Sequence, residues 1–125
     1  SGPYSVAVAP DGSVYVADTD NHRIQKFTSE GVFVTKWGTE GPGDGQFHEP
    51  SDVAVAPDGS VYVAGLSHRR IQKFTSEGVF VSKWGSSGTD DGQFNIPRAV
   101  AVAPDGSVYV ADSGNYRIQR FSVGQ

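Results

Sequence analysis

The chain has 125 residues, a formal charge of −4, no cysteine and no methionine, with 37% hydrophobic residues and 16 glycines. The mild acidity weighs against a phosphate-backbone partner, and the lack of cysteine removes disulfides and thiol chemistry. No apolar run reaches the roughly 18 residues of a membrane span, and the N-terminus has no signal-peptide pattern.

Ser1-Gly2 stands directly before repeat material, so the chain reads as an excised segment. From Pro3 a first unit of four strands is expected. Strand a covers 5–9, and strand b covers 14–17 after the turn Pro10-Asp11-Gly12, where Pro presets φ, Asp can bond its own backbone and Gly supplies positive φ. The polar loop 18–22 leads to strand c at 23–27, and a Ser29-Glu30-Gly31 turn leads to strand d at 32–37. The glycine-rich linker 38–47 then carries the chain to Pro50.

The sequence VAVAPDGSVYVA occurs three times unchanged, at 6–17, 53–64 and 100–111, each copy 47 residues after the last. A fixed period of that length marks one supersecondary unit stacked several times. The units are 1–49, 50–96 and 97–125, and the third stops after strand c, which makes eleven strands. Strand a is apolar on both faces, as for a strand buried on both sides, whereas c and d carry Gln25, Lys26, Thr35 and Lys36. That gradient, driest inside and wettest outside, predicts an all-β chain of antiparallel β-propeller blades, the last lacking its outer strand. A flat sandwich would explain the strands but not the period.

The pattern P-x-x-VAV-x-PDG-x-VYVAD-x-x-N-x-RIQ-x-F, with a GDGQF-like linker, resembles the NHL repeat across essentially the whole chain. Its best carriers are Pro3, Pro50 and Pro97, Asp18 and Asp112, Asn21 and Asn115, and Arg23, Arg70 and Arg117. The second unit departs from it at Gly65 and His68. NHL domains are typically six-bladed, so the resemblance implies about half a ring. Three blades cannot close, which predicts a homodimer of 3 + 3 blades or a strand borrowed across the junction. The near-identity of the units is the mark of recent amplification, consensus design or laboratory selection.

Units one and two differ at Tyr4, Ser5, Asp18 to His22, Thr35, Thr39, Glu40, Pro42, Gly43, His48 and Glu49, which is 14 positions. All but Thr35 fall on the face bearing the d-to-a linkers and b-to-c loops, or at the start of strand a. Loops on one face of a repeat array are where binding diversifies. Candidates on this face are Tyr4, His22, His48, Asp52, His68, Arg69, Arg98 and Tyr116, for a protein or peptide partner. Solvated loops that have simply drifted are the competing reading. Charge reversal at Arg98 and Asp52 would separate a binding face from a scaffold selected for folding alone.

Asp18, Asn21 and Arg23, with Asp112, Asn115 and Arg117, are expected to form structural loop networks, the Asn taking the turn conformation. Gly65 and His68 would break the network in the second unit and loosen that loop. His22, His48 and His68 sit in different loops and repeat positions, so no metal site is expected, and the Gly43-Asp44-Gly45 and Asp90-Asp91-Gly92 loops lack the alternating oxygens of a calcium loop. Arg69, Arg70 and Arg98 form a basic patch offset by acids on the same face, which leaves RNA binding an alternative only. Some six-bladed relatives are metal-dependent enzymes, but strand a presents Val, Ala and Pro in every unit and no nucleophile–base pair is visible. No catalytic residue and no cofactor are expected.

Overall fold

The computed structural model describes residues 5–123, so Tyr4 lies outside the described residues. Eleven strands form in chain order: β1 (Ser5–Val8), β2 (Val14–Asp18), β3 (Arg23–Phe27), β4 (Phe33–Trp37), β5 (Pro50–Val55), β6 (Val61–Gly65), β7 (Arg70–Phe74), β8 (Phe80–Trp84), β9 (Pro97–Val102), β10 (Val108–Asp112) and β11 (Arg117–Phe121). They make antiparallel meanders β1-β2-β3-β4, β5-β6-β7-β8 and β9-β10-β11, so the chain is all-β with two four-stranded blades and one of three strands.

Local chemistry accounts for each hairpin. In the a–b turns Asp11, Asp58 and Asp105 accept the backbone N–H two residues on, each at 2.9 Å, while Gly12, Gly59 and Gly106 take φ of 90–92°. In the c–d turns the hydroxyls of Thr28 and Thr75 each accept two backbone N–H groups, from Glu30 and Val32 and from Glu77 and Val79. The first and third b–c loops, where the sequence predicts only loop, each contain a short 3-10 turn, Thr19–Asn21 and Ser113–Asn115.

Blades pack face to face through two cores of the same composition. In the first, Ala9, Tyr15, Ala17 and Ile24 of blade one meet Val53, Val61, Val63 and Phe74 of blade two. In the second, Ala56, Tyr62, Ala64 and Ile71 of blade two meet Val100, Val108 and Val110 of blade three. A linker phenylalanine, Phe47 or Phe94, plugs each core and is 2% and 0% exposed. Every blade thus carries an Ala/Tyr/Ile face and a Val/Phe face, and like faces never meet.

The expected inside-to-outside gradient holds only in part. In the middle blade β6 and β7 are buried at every residue, whereas β5 is only partly so. In blade one Val6 and Val8 of the innermost strand are 62% and 65% exposed. The reason is that burial comes from neighbouring blades, and the Val face of blade one has no neighbouring blade among the described residues. Among the described residues no helix is long and apolar enough to cross a membrane.

Candidate functional site

The face carrying the linkers and b–c loops is organised by contacts from one repeat to the next. In the first linker Phe47 N–H donates to Thr39 O at 2.9 Å and the Gln46 side-chain oxygen accepts Gly43 N–H at 2.8 Å. The loop so formed turns three carbonyls toward blade two. Arg70 donates to Pro42 O (2.6 Å), Gly43 O (2.8 Å) and Gln46 O (2.9 Å), and Gln72 donates to Gln46 O while accepting from Gly45 N–H, both at 2.8 Å. The next junction repeats this: Arg117 holds Thr89 O, Asp90 O and Gln93 O, and Gln119 takes Gln93 O and Gly92 N–H. In blade one Arg23 and Gln25 face no such linker. Arg23 Nε and Gln25 Nε2 donate instead to Asp18 Oδ2, at 2.9 and 3.2 Å.

Around Asp18, Asn21 Nδ2 donates to both carboxylate oxygens, at 3.2 and 3.1 Å. Burial pushes the Asp18 carboxyl up, but the hydrogen bonds from Asn21, Arg23 and Gln25 outweigh it and hold the group below its ordinary range. Asp112 is fully buried. Its Oδ1 accepts the backbone N–H groups of Asn95 and Ile96, both at 2.9 Å, and its Oδ2 accepts from Asn115 at 2.8 Å. Burial is again the largest influence and opposes ionisation, yet these donors and the Arg117 charge keep that carboxyl low as well. The left-handed backbone falls not on the asparagines but on the residue after each, His22 (φ 55°) and Tyr116 (φ 54°), while the asparagines hold their aspartates. In blade two, with Gly65 in place of the aspartate, the loop is a plain turn that keeps the left-handed residue at Arg69 (φ 52°).

Two charged residues, Asp52 and Arg70, take roles unlike those the sequence suggests. Asp52 accepts from Ser5 Oγ of blade one and from Val100 N–H of blade three, the latter at 2.9 Å, so it ties all three inner strands together. Charge reversal there would break the junctions whatever the face binds, which leaves Arg98 as the usable probe. Arg70 is only 8% exposed, and burial lowers its pKa while Asp44 raises it. It is therefore lost to the supposed basic patch. Arg69 Nε donates to Asn95 O at 2.9 Å, whereas Arg98 is exposed with one long contact to Ser113 Oγ (3.4 Å), and Tyr116 is 95% exposed.

The histidines, far apart in sequence, converge. The His22 and His48 rings stack at 5.0 Å, and His68 meets His48 edge-on at 6.2 Å. Glu40 lies between the first two, with Oε2 2.9 Å from His48 Nδ1 and Oε1 3.8 Å from His22 Nε2. His22 Nδ1 accepts the Glu49 backbone N–H at 3.0 Å. Burial, then the charges of Arg70 and His48, lower the His68 pKa.

Fold and face together define a partial β-propeller. Residues 1–27 and 94–121 match the NHL repeat model, which is consistent with an NHL-type propeller fragment. None of the curated proteins matches it. Among solved structures it is similar to virginiamycin B lyase from Staphylococcus aureus (17% identity, TM-score 0.69, 99% of this chain and 42% of that one). It is also similar to hydrazine synthase from Kuenenia stuttgartiensis (15%, 0.67, 95% and 35%) and to an auxiliary nutrient binding protein from Bacteroides thetaiotaomicron (16%, 0.73, 92% and 36%). The chain thus spans well under half the length of each, and identities this low speak to fold alone.

Proposed function

We propose that this chain is a non-enzymatic propeller scaffold that completes itself with a second copy, giving six blades, and offers its linker face to a protein or peptide. One observation carries the assembly. The free flank of blade one is a Val face, with Val6 and Val8 bare, and that of blade three is a Tyr/Ile face, with Tyr109 and Ile118 38% and 65% exposed. Their counterparts Val53 and Val100 are 3% and 6% exposed, and Tyr15, Tyr62, Ile24 and Ile71 lie between 0% and 3%. The two flanks are therefore the two halves of an interface the chain already makes twice. Each flank would meet the opposite flank of the other copy, and closure after two steps leaves no apolar edge.

The non-enzymatic reading is supported by what the polar groups at the inner strand starts do. Ser5 and Asp52 bond each other, and Ser51 donates to Ala64 O and Pro97 O, so they are spent on holding blades together. Burial of Arg70 argues against nucleic acid, since it removes a cation from the face. Arg98 and Tyr116 remain exposed and available to a partner.

Light scattering after gel filtration tests the assembly. A dimer is expected at micromolar concentration, and Ile118→Asp and Val6→Asp should each give monomers while Arg98→Glu leaves the mass unchanged. A wild-type monomer, or a dimer indifferent to both flank variants, would overturn the proposal.

A further inference from the structure

We propose that His22, Glu40 and His48 form a binding site for a zinc-like divalent cation that staples the b–c loop of the first blade to the linker leading into the second. One nitrogen or oxygen from each residue lies within 4.8 Å of the other two. A tetrahedral zinc site places its ligand atoms about 3.3–3.5 Å apart, so one pair is already close and the widest must draw in by up to about 1.5 Å. Side-chain rotation can supply this, because the three side chains are 21%, 60% and 38% exposed and their backbones need not move. Two imidazoles and a carboxylate are a borderline donor set, suited to zinc and its neighbours rather than to calcium or magnesium.

The surroundings support ligation. His48 has Nδ1 toward Glu40 and Nε2 3.9 Å from the Glu49 carboxylate. A histidine that binds metal through one nitrogen commonly donates its other N–H to a carboxylate, which fixes its tautomer and strengthens it as a ligand. His22 is held by its left-handed backbone at the end of the 3-10 turn. Ligation through its Nε2 shifts the ring proton to Nδ1 and releases the Glu49 N–H now bound there, a cost the cation must offset. Water can complete the shell.

The second junction shows what the same backbone looks like without the donors. One repeat on, His22, Glu40 and His48 become Arg69, Ser87 and Asn95, and Arg69 donates to Asn95 O instead. φ at the two loop ends is 55° and 52°. His22, Glu40, His48 and Glu49 are all among the 14 positions that distinguish the first repeat from the second, so every member of this cluster is particular to the first junction.

The test is a titration of protein free of any polyhistidine tag with Zn²⁺, in competition with a chromophoric chelator. One ion per chain is expected, with a rise in melting temperature as zinc increases. His22→Arg and His48→Asn install residues this backbone already carries at the second junction, so folding is preserved, and each should weaken binding at least tenfold. Glu40→Gln should also weaken it, His68→Ala should leave it within about twofold, and Ca²⁺ should produce no shift. Absence of stoichiometric zinc binding, or equal binding by the His22→Arg/His48→Asn double variant, would overturn the proposal.

Discussion

Asp112 shows how one residue can set the acid limit of the fold. Its carboxyl and that of Asp18 lie below the ordinary value of 3.8 in the folded state. Such groups contribute stability above the unfolded pKa and lose it as pH falls through the folded one. Thermal stability should therefore fall below about pH 4, after a shallower decline that begins near pH 6.5, where His68 with its lowered pKa starts to favour the unfolded chain. Asp112→Asn keeps an oxygen for Asn95 and Ile96 but turns an amide toward Asn115 and Arg117. It should cost about 1–3 kcal/mol at pH 7 and flatten the acid slope, readable by calorimetry. Gly85 is a second such position. Its φ is +112°, and a Cβ there would lie 2.6 Å from the Phe94 ring and 2.9 Å from Arg69 O. Gly85→Ala should destabilise by about 2–4 kcal/mol in chemical denaturation, whereas Gly92→Ala, at φ +80° with nothing within 4 Å, should cost only about 1 kcal/mol.

Among the elements, the c strands do more than pair. The RIQ segment reads as an ordinary alternating strand, yet its Arg and Gln hold the preceding linker. That role was not legible, because the carbonyls they grip lie 24 to 28 residues earlier and carry no side-chain signature. Only the recurrence of Arg and Gln beside a fixed GQF linker could have raised it. Arg70→Met removes three hydrogen bonds from a buried guanidinium and leaves linker carbonyls short of donors. About 3 kcal/mol should be lost, against about 1 kcal/mol for Arg117→Met, whose side chain is 27% exposed. Equal losses in denaturant melts would show that burial does not govern the clamp. The hairpins, by contrast, were legible to within a residue or two, since Asp-Gly and Thr-Ser-Glu-Gly turns are decided by neighbours in sequence.

For the molecule as a whole, alternation within a blade says which residues are apolar but not which blade face is covered. Val6, Val53 and Val100 occupy one repeat position in one sequence context, yet the first is 62% exposed and the others 3% and 6%. If a second copy covers the flank, the melting temperature should rise with protein concentration, because association stabilises by mass action. A melt independent of concentration from 1 to 100 µM, on the order of the dimer range, would argue for a stable monomer.

By itself the sequence determined the period, the strands, the turns and the propeller class, all of which follow from local backbone preference and short-range pattern. It also marked the linker face, by where the repeats differ. Only the tertiary structure decided what those differences do. It joined His22 to His48 across 26 positions, turned Asp52 from a surface charge into a bridge, and withdrew Arg70 from solvent into a linker. The physical reason is the same each time: these side chains find their partners in another blade or in the linker between blades, and only the stacking of blades places that linker.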